Sequence, residues 1–335
     1  MKIGVLLVCI ATSRALHSAP ARLRPLPSRR GVARATEAKP SERPGNYVQP
    51  YSSALGVSAA ATICGELIKI PGSADAATPW LGRVAACTPL PVLIACFVVL
   101  RQAASVGPAL LRTPTYERLN LGLAASCILA CALAPMPVLP VIVARGGSAL
   151  LCLEVYSQLS STATAGNLFS EANAALQSLV GMIGRAASLL IQGSGAAQAY
   201  AGLALIYLGY ALASCVAPPA VTALWPAASP GAGAMRLAGS SASLTAVTLA
   251  TLADAADERT GYVGTAKSPR AFRWLNQALL ISAISHLAVQ CTAVLTSSLS
   301  VRALSPTGLA TAVGAQLLYA TVAVVCLAAR PLWRS

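Results

Sequence analysis

The chain reads as an all-α protein: a polytopic transmembrane helix bundle of about seven spans, within a range of six to eight. Three observations carry that class. Hydrophobic residues fill 56% of the 335 positions and charged residues only 10%, where soluble domains carry about 25%. Mean hydropathy is +0.67. The few charges bound long uncharged runs, as they must when a charge at the bilayer centre costs about 2.5 kcal/mol or more. Aromatics make up only 5%, so the apolar content is Ala, Leu and Val, and small residues suit helices packed closely in lipid.

The N-terminus reads as an address. Met1-Lys2 precedes the apolar run Ile3 to Ala11, followed by Ser13-Arg14-Ala15. A basic start, a short apolar run and small residues at −3 and −1 describe a secretory signal peptide over residues 1–15. The run is far shorter than the roughly 20 residues a spanning helix needs. Residues 16–45 are rich in Arg, Pro, Ser and Ala, with no acidic residue before Glu37, which is the composition of a transit segment. This tandem is similar to the bipartite presequences of algae whose plastids lie inside extra membranes. The junction Ala15-Leu16-His17-Ser18-Ala19-Pro20 has Leu where those cleavage motifs have Phe. The resemblance implies a plastid membrane; a secretory-pathway membrane protein with a disordered luminal tail is the alternative. Residues 46–83 read as an extramembrane or interfacial segment, in which the apolar stretch Ser53 to Cys64, ending at Glu66 and Lys69, is interfacial or a short extra helix.

Residues 84–335 form the transmembrane domain. The first span, Val84 to Leu100, lies between Arg83 and Arg101 and is expected to kink at Pro89 and Pro91. Leu119 to Ala144 lies between Arg118 and Arg145; a break at Pro135–Pro140 would instead give two helices and put Arg145 inside the second. Ala172 to Gln192 is a weaker span holding Arg185, and Gln198 to Ala217 a strong one. Leu237 to Ala253, Trp274 to Leu299 and Thr307 to Ala329 complete the seven. Arg101, Arg112, Arg118, Arg259, Lys267, Arg270, Arg273, Arg330 and Arg334 then share one side, against Arg145, Arg236 and Arg302 on the other. That positive-inside bias places the C-terminus inside and the mature N-terminus outside, which favours an odd number of spans.

The net charge of +14 is no nucleic-acid signal. Half of it sits in residues 1–45, and no basic patch is interleaved with aromatics as a stacking groove requires. HExxH, GxSxG, P-loop and dinucleotide-binding patterns are all missing, so the chain is not expected to be an enzyme or to bind a cofactor or metal. Cysteines such as Cys127 and Cys131 read as small hydrophobes within apolar runs. The carboxylates Asp254, Asp257 and Glu258 lack the ligand spacing of a calcium loop and read as a solvated helix end.

Three residues stand out as binding candidates because ionisable groups at membrane depth face the bundle interior or a watery cavity. Arg185 can pair with Glu154 or Glu171, and its guanidinium fork suits an anionic solute. Its alternative is to snorkel to the interface or belong to a shallow helix. His286 can relay protons or serve as hydrogen-bonding glue between helices. An aromatic followed four residues later by Asn recurs at Tyr116/Asn120, Phe169/Asn173 and Phe272/Asn276, which suggests a helix-pair repeat of about 52 residues of the kind found in transporters. Gly181/Gly184 and Gly202/Gly209 offer close-approach faces for neighbouring helices or membrane partners. The functions consistent with all of this are a small-solute permease and a non-transporting scaffold, assembly factor or complex subunit in a plastid or endomembrane.

Overall fold

Proline sets where many of the helices begin. In the computed structural model, which describes residues 47–67, 89–133, 139–161, 168–222, 232–257, 269–295 and 306–330, every described element is helical. The elements are α1 Val48–Leu67, α2 Pro89–Val106, α3 Pro108–Leu111, α4 Pro114–Leu133, α5 Leu139–Ser161, α6 Leu168–Gln192, α7 Gly195–Val216, α8 Pro218–Thr222, α9 Ala232–Ala256, α10 Pro269–Leu295 and α11 Pro306–Ala328. Six of these eleven start on proline, whose fixed φ and missing N–H fit the first turn. Between α2 and α3 the chain turns at Gly107, where φ of 142° requires glycine.

Polar contacts give each helix its direction. The Tyr51 hydroxyl, near the start of α1, donates to Asn120 Oδ1, near the start of α4, at 3.0 Å. Asn120 Nδ2 in turn donates to the Cys152 carbonyl of α5 at 2.9 Å. Tyr200, near the start of α7, donates to Asn276 Oδ1 of α10 at 2.6 Å, and Asn276 Nδ2 donates to the Cys326 carbonyl at the end of α11 at 2.9 Å. The Tyr116 and Phe272 rings pack at a tilt of 33° with centroids 5.7 Å apart, which brings the starts of α4 and α10 together. Thr115 donates to Asp254, so the end of α9 joins the same cluster. The starts of α1, α4, α7 and α10 and the ends of α2, α5, α9 and α11 therefore share one end of the bundle.

That end is basic. Of the eight arginines among the residues whose side chains are described, Arg101, Arg112, Arg118, Arg185, Arg273 and Arg330 lie toward it, and Arg145 and Arg236 toward the other.

The two Tyr–Asn–carbonyl triads expose an internal repeat. The first half is α1, α2, α4 and α5; the second is α7, α9, α10 and α11. Aligning Asn120 with Asn276 also pairs Tyr116 with Phe272, Leu119 with Leu275, Leu123 with Leu279, Ser126 with Ser282 and Ile128 with Ile284. The halves dock reciprocally: α2 packs on α10, and α9 packs on α4. Cys96 of α2 and Thr248 of α9 hydrogen-bond at 3.5 Å. The buried run Val92, Cys96, Phe97, Val99, Leu100, Ala103, Ala104 matches Leu244, Thr248, Leu249, Thr251, Leu252, Ala255, Ala256 at the same spacing. Equivalent residues meet each other only at a twofold axis. Tyr116/Phe272 at the basic end and Cys96/Thr248 deeper in the bundle put that axis along the helices.

Helix α6 joins the halves. It follows α5, which ends at the basic end, and precedes α7, which starts there. Ser178 meets Glu117, Gly181 faces Arg118, and Arg185 reaches the end of α9. These contacts, spread over two turns of α6, fall on the first turns of α4 and the last turn of α9, while the end of α6 packs on α7, with Leu190 against Gly202. The helix runs across the basic end and returns to it.

Several expectations change. Residues 48–67 form a helix, α1, in which Tyr51 and Ala54 are fully buried and which packs on α2 and α5. Of the two readings of 119–144, the two-helix one holds: α4 and α5 are separate helices, and Arg145 lies within α5. Pro89 and Pro91 open α2 and Pro140 sits in the first turn of α5, so none kinks a mid-span. Among the described glycines the tightest between helices are Gly122, whose added Cβ would sit 2.5 Å from Val247, and Gly239, packed against Ser214 and Cys215; of the expected set, Gly202 lies against Leu190 and Gly181 faces Arg118. Gly184 and Gly209 face open space. Phe169/Asn173 opens α6 and is no part of the repeat. Residues 1–46, where a presequence is expected, and residues 68–88 lie outside the described residues.

Candidate functional site

The most polar buried constellation joins α4, α6 and α9. Residues 254 and 257 are one helical turn apart, so both carboxylates project from the same face at the end of α9. They are 7% and 2% exposed, and a buried carboxylate needs a charged partner. Arg185 supplies it as a fork: Nε donates to Asp254 Oδ1 at 3.2 Å and Nη2 to Asp257 Oδ2 at 2.7 Å. Thr115 brings α4 into the group through the second oxygen of Asp254. The Ser194 hydroxyl caps α7 and donates to the Ala256 carbonyl at 3.2 Å, which fixes the α6–α7 turn on the end of α9. The arrangement ties the linker helix and both halves together at the basic end. A bidentate Arg with two carboxylates has geometric strength that a lone ion pair lacks.

The sequence-predicted residues are not brought together. Arg185 pairs with Asp254 and Asp257, not with Glu154. Glu154 is exposed on α5, where it accepts from Gln158 Nε2 at 3.2 Å one turn away. The Glu171 side chain lies outside the described residues. His286 is buried in α10, and its ring stacks on Tyr319 of α11 at 3.5 Å between centroids. Tyr207 of α7 meets Tyr319 edge-on at 6.1 Å, so this aromatic group is the interior of the second half. Asp254 and Asp257 were the missed members. The signal that could have found them is a pair of carboxylates one turn apart at the end of an apolar helix, with Arg185 as the one charge inside the apolar run Ala172 to Gln192 left to pair with them.

The repeat makes the polar contents of the halves comparable. Counting from the Asn pair, His286 corresponds to Ala130; counting from the Cys152/Cys326 pair, Tyr319 corresponds to Arg145. Arg145 reaches Cys127, inside the first half. The hydrogen-bonded frame is shared, whereas the groups it encloses differ: a guanidinium with thiols in one half, an imidazole with phenols in the other. Between the halves runs a seam of small hydroxyl and thiol groups. Cys96 and Thr248 meet there, and the Ser243 hydroxyl donates to Ser126 Oγ at 3.0 Å. A separate pocket of about 110 Å³ opens at the basic end of the first half, lined by Tyr51, Arg112, Glu117, Asn120 and Tyr156.

Outside, the bundle is apolar. Leu150 of α5 is 70% exposed, and Leu317 and Val324 of α11 are each 62% exposed, a surface that water does not favour and lipid does. Four described helices, α2, α4, the Asn173–Gln192 part of α6, and α7, are long and apolar enough to cross a membrane. An apolar α-helical bundle of this kind is a possible integral membrane protein whose surface suits contact with a bilayer. No protein-family model, curated protein or solved structure matches the chain.

Proposed function

We propose that the chain is a non-enzymatic multi-pass membrane protein whose two four-helix halves cross the bilayer eight times and pass a small solute along the seam between them. The observation that carries this reading is the reciprocal docking of equivalent halves about an axis along the helices. Many secondary transporters are built from parallel repeats of this kind, with the solute site at the repeat interface and transport by rocking of one half on the other. Eight crossings replace seven because α1 and α5 count separately and α6 does not cross. The tight contact of Gly122 with Val247 favours a second reading, a non-transporting membrane subunit, if the seam never opens.

The eight-crossing reading also bears on location. The residue before α1 and the residue after α11 fall on the same, basic side, which the positive-inside rule makes the cytoplasmic or stromal side. A cleaved secretory signal would leave the N-terminus on the opposite side. Import by a transit segment into the stroma delivers it to the basic side, so this reading supports a plastid envelope or thylakoid membrane.

The seam provides its own test. Thr248→Cys places a second thiol against Cys96 across the axis. Purified protein in vesicles, assayed with inorganic phosphate, phosphorylated sugars, carboxylates and neutral sugars, is expected to move at least one of them above empty vesicles. Oxidising Thr248→Cys should cut that flux at least fivefold, with recovery on reduction. Absence of flux across the panel would leave the subunit reading in its place.

A further inference from the structure

We infer that α6 is an in-plane helix docked into the headgroup–acyl boundary of the leaflet at the basic end, its occupant being the lipid surface itself. The inference rests on the eight-crossing reading and deepens it. By length and composition the segment Asn173–Gln192 could cross a membrane. Its neighbours forbid this, since α5 delivers the chain to the basic end and α7 leaves from it.

The helix is two-faced. At 100° per residue, Leu176, Leu179, Val180, Ile183, Ala187, Leu190 and Ile191 fall within one apolar stripe, while Ser178, Gly181, Arg185 and Ser188 fall on the other side. The polar side faces the bundle, through Ser178 to Glu117 and Arg185 to Asp254 and Asp257. Ala186 and Leu189 are buried on the bundle side, whereas along the apolar stripe Leu176, Leu179, Val180 and Ile183 are half-buried and Ala187, Leu190 and Ile191 exposed, so the stripe is turned outward. It is continuous with the exposed apolar surface of α7, where Ile206 and Leu212 also face outward. Around it stand the exposed Arg101, Arg112, Arg273 and Arg330, which suit anionic headgroups and not a buried protein interface. An amphipathic helix at such a boundary buries its apolar face about 5–10 Å deep.

The test is a depth profile. Spin labels are placed singly at Leu176, Val180, Ile183, Ala187 and Ile191 of the full chain, with native cysteines replaced, in phosphatidylcholine vesicles containing phosphatidylglycerol. Collision with oxygen against a water-soluble nickel chelate reads depth. All five labels should lie within about 10 Å of the headgroup plane. A profile that passes through the bilayer centre between Leu176 and Ile191 overturns the inference. So do labels open to nickel throughout, which would mean a water-facing stripe, or labels closed to both reagents, which would mean a second copy or another protein. If the cysteine-depleted chain does not fold, Ile183→Trp in the native background serves, with quenching expected from lipids brominated near the headgroup and not near the chain terminus. Side-specific labelling of the two flanks of α6 separates the failures: flanks on one side with an aqueous stripe sink this inference alone, and flanks on opposite sides sink the eight-crossing reading too.

Discussion

Replacing Arg185 with Ala should lower stability by about 2–4 kcal/mol, because removing one member of a buried ion pair leaves uncompensated charge. Both carboxylates it serves are nearly enclosed, with side chains 11% and 3% exposed, while the guanidinium keeps 26% of its surface open, hence a loss discounted from the roughly 3–5 kcal/mol of a fully buried pair. In detergent the unfolding midpoint is expected to fall by roughly 4–10 °C. Arg185→Lys should recover only part of the loss, since an ammonium cannot serve Asp254 and Asp257 as a planar fork. Adding Asp257→Asn to Arg185→Ala should recover about half of it, a coupling that a double-mutant cycle isolates. A midpoint unchanged by Arg185→Ala would mean that the fork does not hold the basic end together.

Asn120→Ala and Asn276→Ala should cost nearly the same, about 1–2 kcal/mol each. Each change strips a buried tyrosine hydroxyl of its acceptor and removes a tie to a carbonyl on a third helix. The triads share no partner, so the double variant should lose the sum, about 2–4 kcal/mol. Tyr51→Phe and Tyr200→Phe should each cost less than the Asn change in the same half, because the Asn–carbonyl bond survives. Unequal Asn effects, by more than about a kilocalorie per mole in thermal unfolding, would argue against equivalent halves.

Much of this frame was legible in the sequence. The uncharged runs located α7, α10 and α11 closely, because charge placement records the cost of desolvation directly. Hydropathy failed where it averages over a break. The run from Leu119 to Ala144 holds no charge, so one span and two helices broken at Pro135–Pro140 fit it equally, and Arg145, the boundary of the first reading, sits within α5 beside Cys127. Hydropathy likewise marks α6 as long and apolar enough to cross a membrane. Its two-faced character was visible in Leu176, Leu179, Val180, Ile183 and Ala187 opposite Arg185, but only the path of its neighbours shows why that pattern matters.

The repeat was half legible. Tyr116/Asn120 and Phe272/Asn276 are true equivalents, and Phe169/Asn173 shares the pattern by coincidence, which produced a spacing of about 52 residues in place of 156. The longer pattern, an aromatic, Leu-Asn three positions on, then Leu, Ser and Ile, is what distinguishes them. The Arg185 cluster was least legible. Its carboxylates come from a chain end that charge alone assigns to water, and only tertiary packing brings Arg185 onto it across 69 and 72 positions of sequence.

The central claim is that two equivalent halves start from the same side and that α6 returns to it. Side-specific modification of single reporters just before α1, at Gly195 and after α11 tests this directly in sealed vesicles. Gly195 is suitable because an added side chain there meets nothing within 4 Å. All three reporters should react from one side and be protected from the other. An N-terminal reporter on the side opposite to the other two, as seven spans require, would contradict the account.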